Sequence, residues 1–334
     1  MMPETKHSLN LPVRLRRGRR REGIRSLLRE TELSVNDFVY PVFVTEGSGK
    51  EEPVPSMPGI SRKTADLWLK EIPELLRLGL KAIAPFPVVP EEKKNKKATE
   101  ALNPEGLIPQ FVREVKKRFP EMLVMTDIAL DPFNSDGHDG IVSDTGEILN
   151  DETVDILCRM ALCHAEAGAD FVCPSDMMDG RIGQIRRALD EAAYTGTGII
   201  AYSAKYASAF YGPFRDALQS APKAGDKKTY QIDPASRREA LREVELDIRE
   251  GADIVMVKPA GAYLDIIREV SDAFDVPVCA YQVSGEYAMI AAAAGNGWLA
   301  RGPAILESLL CIKRAGARFI WTYFAKEAAL LLKN

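Results

Sequence analysis

The chain has little of what marks secreted, membrane-bound or thiolate-metal proteins. Its five cysteines, Cys158, Cys163, Cys173, Cys279 and Cys311, are an odd number without a C-x-x-C pair. That spacing indicates neither a disulfide framework nor a cysteine zinc site. No apolar run approaches the ~18 residues needed to span a bilayer. The first thirty residues lack the apolar core of a signal peptide. No membrane partner and a reducing cytoplasm are therefore expected. Nor does one sign of charge dominate. Lys and Arg number 44 against 48 Asp and Glu, a formal net charge of −4, which argues against a molecule built as a whole for nucleic acid. With 46% apolar and 28% charged residues, a mostly disordered or collagen-like chain is excluded too.

Charge is nevertheless clustered. From Arg14 to Arg29 there are eight arginines and one acid, Glu22. Such a run suits a nucleic-acid tail, a localisation signal, or an arm lying on an acidic surface of the same or another subunit. No aromatics interleave with the arginines as base-stacking platforms would require. The Ser-rich composition of a transit peptide is also missing.

Beyond this segment one pattern recurs. A helical stretch ends in Gly, and a short apolar run follows within a residue or two. The instances are Arg77–Ala84, Glu166–Val172, Glu250–Val257 and Arg314–Trp321. Glycine there is the expected left-handed helix stop, and the apolar run reads as a strand buried on both faces. Further strand-like runs are Phe38–Val44, Leu123–Leu130, Gly198–Ser203 and Val276–Gln282. A chain of 334 residues suits two domains or one large barrel. Eight strands alternating with helices, and no G-x-G-x-x-G after the first, predict a closed (β/α)8 TIM barrel over residues 35–334, preceded by an arm over residues 1–34. Gly47-Ser48-Gly49-Lys50 is no phosphate loop. Glu51 stands where Ser or Thr should follow the lysine, and the four-residue spacer is absent.

Chemistry in such a barrel sits where strands end and loops begin. Those positions hold Asp127 and Asp131 after strand three, Ser175-Asp176 after strand four, and Ser203 and Lys205 after strand five. Lys258 directly follows four apolar residues of strand six; Ser284 and Tyr323 follow strands seven and eight. A lysine ending a buried strand is costly, because desolvation disfavours its ammonium form. A second lysine nearby lowers the pKa further, and a neutral amine is what Schiff-base formation with a ketone requires. The plainer reading pairs each lysine with a carboxylate such as Asp127 or Asp176. Two on neighbouring strands favour catalysis.

The stretch G-A-D-I-V-M-V-K-P-A-G-A-Y (Gly251–Tyr263), with A-Y-S-A-K-Y-A-S, Y-G-P-F-R-D-A, Y-Q-V-S-G-E-Y-A-M and P-S-M-P-G, closely resembles the porphobilinogen synthase (5-aminolevulinate dehydratase) family. The resemblance runs in order from about Arg14 to the C-terminus. It implies a lyase that condenses two 5-aminolevulinate molecules into porphobilinogen in tetrapyrrole synthesis, as a homo-octamer held by the N-terminal arm. By motif, Lys258 matches the Schiff-base lysine of the first-bound substrate and Lys205 the second lysine. Ser284 and Tyr323 fall where the family binds the first substrate's carboxylate. Arg215 and Lys227 match the cations that clamp the second; the adjacent Lys228 leaves that register open. The span from Tyr206 to Tyr230 is then a lid.

The resemblance also implies a departure. Ala129, Asp131 and Asp139 stand where the family's zinc enzymes carry cysteines. Alanine cannot ligate, and carboxylate oxygens suit Mg²⁺ or a water network rather than Zn²⁺, so no catalytic zinc is expected. In this aspartate-rich branch Asp131 and Asp139 contact the second substrate's amine directly or through a hydrated cation, which leaves room for a monovalent ion. Asp127 and Asp139 are candidates for proton transfer, and His138 is expected to be an exposed loop residue. The family's activating, allosteric Mg²⁺ lies away from the chemistry, on a glutamate matched here by Glu243. Two rivals make distinct forecasts. A class I Schiff-base aldolase needs a Gly-rich phosphate site after strands seven and eight, where only Gly285 stands. A non-enzymatic assembly or nucleic-acid-binding protein would act through the arginine arm alone.

Overall fold

The computed structural model describes residues 11–333. The chain forms two compact units that divide between Glu32 and Leu33, two residues before the boundary expected from the sequence. The first holds a 3-10 turn, Leu15–Arg19, and helix α1 (Glu22–Leu27), neither with a buried residue. Arg25 and Arg29 share Glu22 there, the latter at 3.5 Å.

In the second unit eight strands close on themselves. They are β1 (Phe38–Thr45), β2 (Ala82–Val88), β3 (Leu123–Ile128), β4 (Phe171–Pro174), β5 (Gly198–Lys205), β6 (Ile254–Lys258), β7 (Val278–Gln282) and β8 (Phe319–Thr322). Neighbours pair parallel in chain order, and β8 returns to β1 with Phe38 opposite Ile320 and Val39 opposite Trp321. This is the (β/α)8 barrel that the alternation predicts. Around it run α2 (Ala65–Leu78), α3 (Leu107–Arg118), α4 (Asn150–Glu166), α5 (Arg181–Glu191), the short α6 (Gly212–Leu218), α7 (Arg238–Glu250), α8 (Leu264–Ala273), α9 (Ser284–Gly295), α10 (Arg301–Ala315) and α11 (Ala325–Lys333).

The glycine stops behave as their chemistry requires. Gly79, Gly168, Gly251 and Gly316 have φ of 92°, 101°, 106° and 125°, a region that costs a Cβ-bearing residue about 1–2 kcal/mol. Each therefore releases the chain from its helix into the next buried strand. Two antiparallel ribbons, Glu51–Pro53 with Ser61–Thr64 and Ile141–Val142 with Ile148–Leu149, are too short to show an alternating pattern in the sequence. Gly49 N–H donates to Asp66 at 3.1 Å, so the Gly47–Lys50 turn serves the first ribbon.

A cluster of aromatics lies inside the barrel. Tyr202, Tyr281 and Trp321 are fully buried, with ring centroids 5.5 Å apart for Tyr281–Trp321 and 6.0 Å for Tyr202–Trp321. They fill the space beneath the C-terminal mouth and exclude water from it. Whatever ionises there does so in a low dielectric.

Candidate active site

Lys205 and Lys258 are the last residues of β5 and β6, and stand opposite one another in register. The apolar run that identifies β5 stops at Ser203, but the strand continues two residues, which brings the second lysine level with the first. Both are buried, at 5% and 6% exposure. Their surroundings differ. Lys258 Nζ is walled by four rings, 4.7 Å from the centroid of Tyr281, 5.0 Å from Tyr202, 5.2 Å from Tyr211 and 5.3 Å from Phe214. Burial, and then the Lys205 charge, push its pKa down to about 7 against the pull of Asp127, Asp139 and Asp131. Lys205 Nζ instead donates to the Ser175 carbonyl at the end of β4 and lies 3.7 Å from Asp139.

Three aspartates face the lysines. Asp127, on β3, is pushed up to about 7 by burial, with Lys258 opposing. Burial also raises Asp131, which accepts the Ser220 hydroxyl at 3.0 Å. Burial raises Asp139 as well, but Lys205 and Lys227 outweigh it and hold that carboxyl below the usual range.

The span from Tyr206 to Tyr230 folds over this mouth. Its helix α6 is anchored at the C-terminus by Arg62, which donates to the Ala217 and Asp216 carbonyls at 2.6 and 2.7 Å. Arg215 reaches the cavity from this helix. Lys227 is buried, 3.1 Å from Asp139 and 3.6 Å from Asp131. Lys228 points away, exposed and 3.4 Å from Asp226. The geometry thus separates the two adjacent lysines that the sequence leaves open. The expectation for His138 is overturned: it is buried under the lid, 2.9 Å from the Ala224 carbonyl and 3.1 Å from the Tyr230 hydroxyl. Nothing in the G-H-D-G string reveals that, because the partners lie about ninety residues away.

Ser284 opens α9 directly after β7. Its Oγ accepts from Phe214 N–H at 2.9 Å and lies 3.3 Å from the Phe210 carbonyl, so it ties the lid to the barrel. Tyr323, after β8, meets the Tyr281 hydroxyl at 2.9 Å and stacks on Phe43 at 5.7 Å. Both lysines, the three aspartates, Arg215 and Lys227 surround a cavity of about 30 Å³, whereas Ser284 and Tyr323 stand outside its lining. That space takes only a few waters.

Ala129 is fully buried with no donor to offer. Asp131 and Asp139 are paired with Lys227 and Lys205, so neither a thiolate set nor an unpaired couple of carboxylates faces the mouth. Glu243, on α7, is half-buried at a separate cavity of about 580 Å³ with Glu147, Asp179, Asp233 and Glu239. Burial raises its pKa; Arg181 opposes, and Asp247, Asp179 and Glu239 add to the rise. Sequence reasoning misses the ring wall around Lys258. The tyrosines of A-Y-S-A-K and Y-Q-V-S and the rings of Y-G-P-F-R-D-A are its trace, and only strand register and the folded lid bring them to one point.

A closed parallel barrel with two buried lysines at its C-terminal mouth places the protein among the (β/α)8-barrel enzymes. Comparison with known proteins gives the particular family: a sequence model described as Delta-aminolevulinic acid dehydratase matches residues 12–331, and the chain belongs to that family. The Delta-aminolevulinic acid dehydratase of Bradyrhizobium diazoefficiens is 54% identical over 328 residues, covering 98% of this chain and 93% of that protein. The chloroplastic one of Chlamydomonas reinhardtii is 51% identical, covering 96% and 84%. The crystal structure of the Toxoplasma gondii enzyme in complex with the reaction product porphobilinogen superposes with a TM-score of 0.95 at 48% identity, covering 97% of this chain and 92% of that one.

Proposed function

We propose that the protein is a lyase that condenses two 5-aminolevulinate molecules into porphobilinogen with loss of two waters. The juxtaposition of Lys258 and Lys205 in a closed family barrel carries this reading. The neutral Lys258 amine attacks the ketone of the first substrate, and its C–N bond replaces the C–O bond as water leaves. Lys205, once a neighbouring aspartate such as Asp139 has taken its proton, does the same to the second. The iminium acidifies the adjacent carbon, a C–C bond forms between the two molecules, and the free amine of one substrate displaces a lysine to close the ring. Loss of the other lysine and of a ring proton gives the pyrrole, returning both amines. Asp127 and Asp139 are the nearby groups for moving protons.

Positioning supplies the rest. Arg215 and Lys227 receive the carboxylate of the second substrate, for which Lys227 exchanges its aspartate partners. Ser284 and Tyr323 receive that of the first. To do so, Ser284 turns its single proton away from the Phe210 carbonyl, which couples substrate arrival to the lid. A mouth with room for only a few waters admits two substrates when the lid swings outward.

Magnesium is proposed at Glu243, where the carboxylates of Glu147, Asp179, Asp233 and Glu239 line the same cavity and favour a hard cation. Among the described residues no three His, Cys, Asp or Glu side chains form a metal cage, so a single carboxylate and the ion's own waters would hold it. The ion would supply activation remote from the chemistry. No zinc is proposed at Ala129, Asp131 and Asp139, where lysines already balance the carboxylates. The arginine arm is proposed to join copies of the chain into an octamer. No described helix is long and apolar enough to cross a membrane, and we place the enzyme in the cytoplasm. Borohydride reduction in the presence of 5-aminolevulinate, followed by peptide mass analysis, tests the central claim. The Lys258 peptide is expected to carry the label; an unlabelled Lys258 refutes the reading.

A further inference from the structure

Behind the mouth lies a buried carboxylate that this chemistry leaves unused. Glu286, in the first turn of α9, is 6% exposed. Its Oε2 accepts from the Val283 N–H at 2.7 Å, which caps its own helix. Capping needs only that contact. Yet Oε1 also accepts from the Gly261 N–H at 2.5 Å, and Oε2 lies 3.4 Å from the Ala260 N–H. Those two groups belong to another loop, the one that starts directly after Lys258. A Cβ on Gly261 would sit 2.5 Å from Oε1, so the backbone approaches the carboxylate as closely as glycine allows. Burying a carboxylate is costly unless its oxygens are satisfied, and here burial pushes the pKa up to about 7 while backbone N–H groups pull it down. A cost of that kind, borne for a cap that a surface residue could provide, calls for a second role.

We propose that Glu286 is a positioning residue for Lys258. Its one rigid carboxylate locks the loop after Lys258 to the start of α9, which also carries Ser284. The reacting amine and the hydroxyl assigned to the first substrate's carboxylate are thereby held at a fixed spacing. Only Pro259, whose ring restricts φ, separates Lys258 from the tethered Ala260, so a shift of the loop passes directly to the lysine. The inference rests on the roles proposed above for Lys258 and Ser284.

Glu286→Gln keeps the shape but leaves one acceptor oxygen for N–H groups of two loops and turns an amide NH₂ toward them. In the folded variant, borohydride trapping of levulinate on Lys258 should slow by about a hundredfold, as expected for a misplacement near 1 Å. KM for 5-aminolevulinate should rise with it. Gly261→Ala strikes the same contact from the other side while leaving the capping carboxylate in the chain, and should reproduce both effects. A folded Glu286→Gln enzyme with unchanged trapping and KM, altered only in melting temperature, would reduce Glu286 to a cap and overturn the proposal. Should Glu286→Gln fail to fold, Gly261→Ala decides, and unimpaired trapping there overturns it equally. The wild-type enzyme separates the two readings. No label on its Lys258 refutes the Schiff base itself, whereas wild-type labelling with unimpaired variants refutes only the positioning role.

Discussion

At Lys258 the amine is tuned by its neighbours, and the sign of each contribution can be tested. Burial and the Lys205 charge both disfavour the ammonium, which brings the pKa to about 7. The neutral, nucleophilic fraction grows as pH rises through that value, so levulinate trapping on Lys258 should climb between about pH 6 and 8. Removing the Lys205 charge raises the Lys258 pKa, because one of the two downward pulls is gone. In Lys205→Met the trapping profile should therefore move to higher pH, measured by peptide mass analysis across a pH series. A profile that stays in place would show that burial alone tunes the amine. Glu243 carries a different prediction. A chelator should lower activity and Mg²⁺ restore it, while Glu243→Ala should retain turnover but lose the stimulation. Restoration by Zn²⁺ alone would contradict the assignment of the Ala129, Asp131 and Asp139 positions.

Among the elements, the lid holds the site together and also blocks it. It is pinned by Arg62 on the end of α6, by Ser220 on Asp131, and by Ser284 on the Phe214 N–H. Gly137 lies under its far side with φ of 73°, where a Cβ would fall 2.3 Å from the Ala221 carbonyl oxygen. Gly137→Ala therefore meets both backbone strain and a backbone atom that cannot move aside. Strain of about 1–3 kcal/mol transferred to the closed lid should raise KM roughly tenfold or more. Proteolysis between Tyr206 and Tyr230 should quicken, and Lys258 trapping should survive. An unchanged cleavage rate would show that the loop at Gly137 does not hold the lid.

For the molecule as a whole, the separation at Glu32 carries the prediction. The segment before it buries nothing in its own helical turns, while the unit from Leu33 onward contains the entire closed barrel. Deleting residues 1–32 should leave cooperative thermal unfolding and Lys258 labelling in place. Sedimentation should show a smaller assembly than that of the full chain. Equal assembly size would remove the arm from subunit contacts.

What was legible by sequence alone was whatever depends on neighbours along the chain. Four glycine stops followed by apolar runs identified the strand–helix alternation, because a left-handed residue and a doubly buried strand are local signals. The positions after those runs located Lys205, Lys258, Asp127 and Asp131 at one mouth, since closure of a barrel brings every strand end to the same rim. Long motifs identified the family. Tertiary structure decided what depends on distance across the fold. It turned Lys227 inward and Lys228 outward, although the two are chemically alike and adjacent. It buried His138 beneath a lid contributed from about ninety residues further along, and walled Lys258 with rings from strands and lid. It also tied Glu286 to the loop of the reacting lysine. Burial and pairing set the charge state of each of these groups, and both come from residues that meet only when the barrel closes.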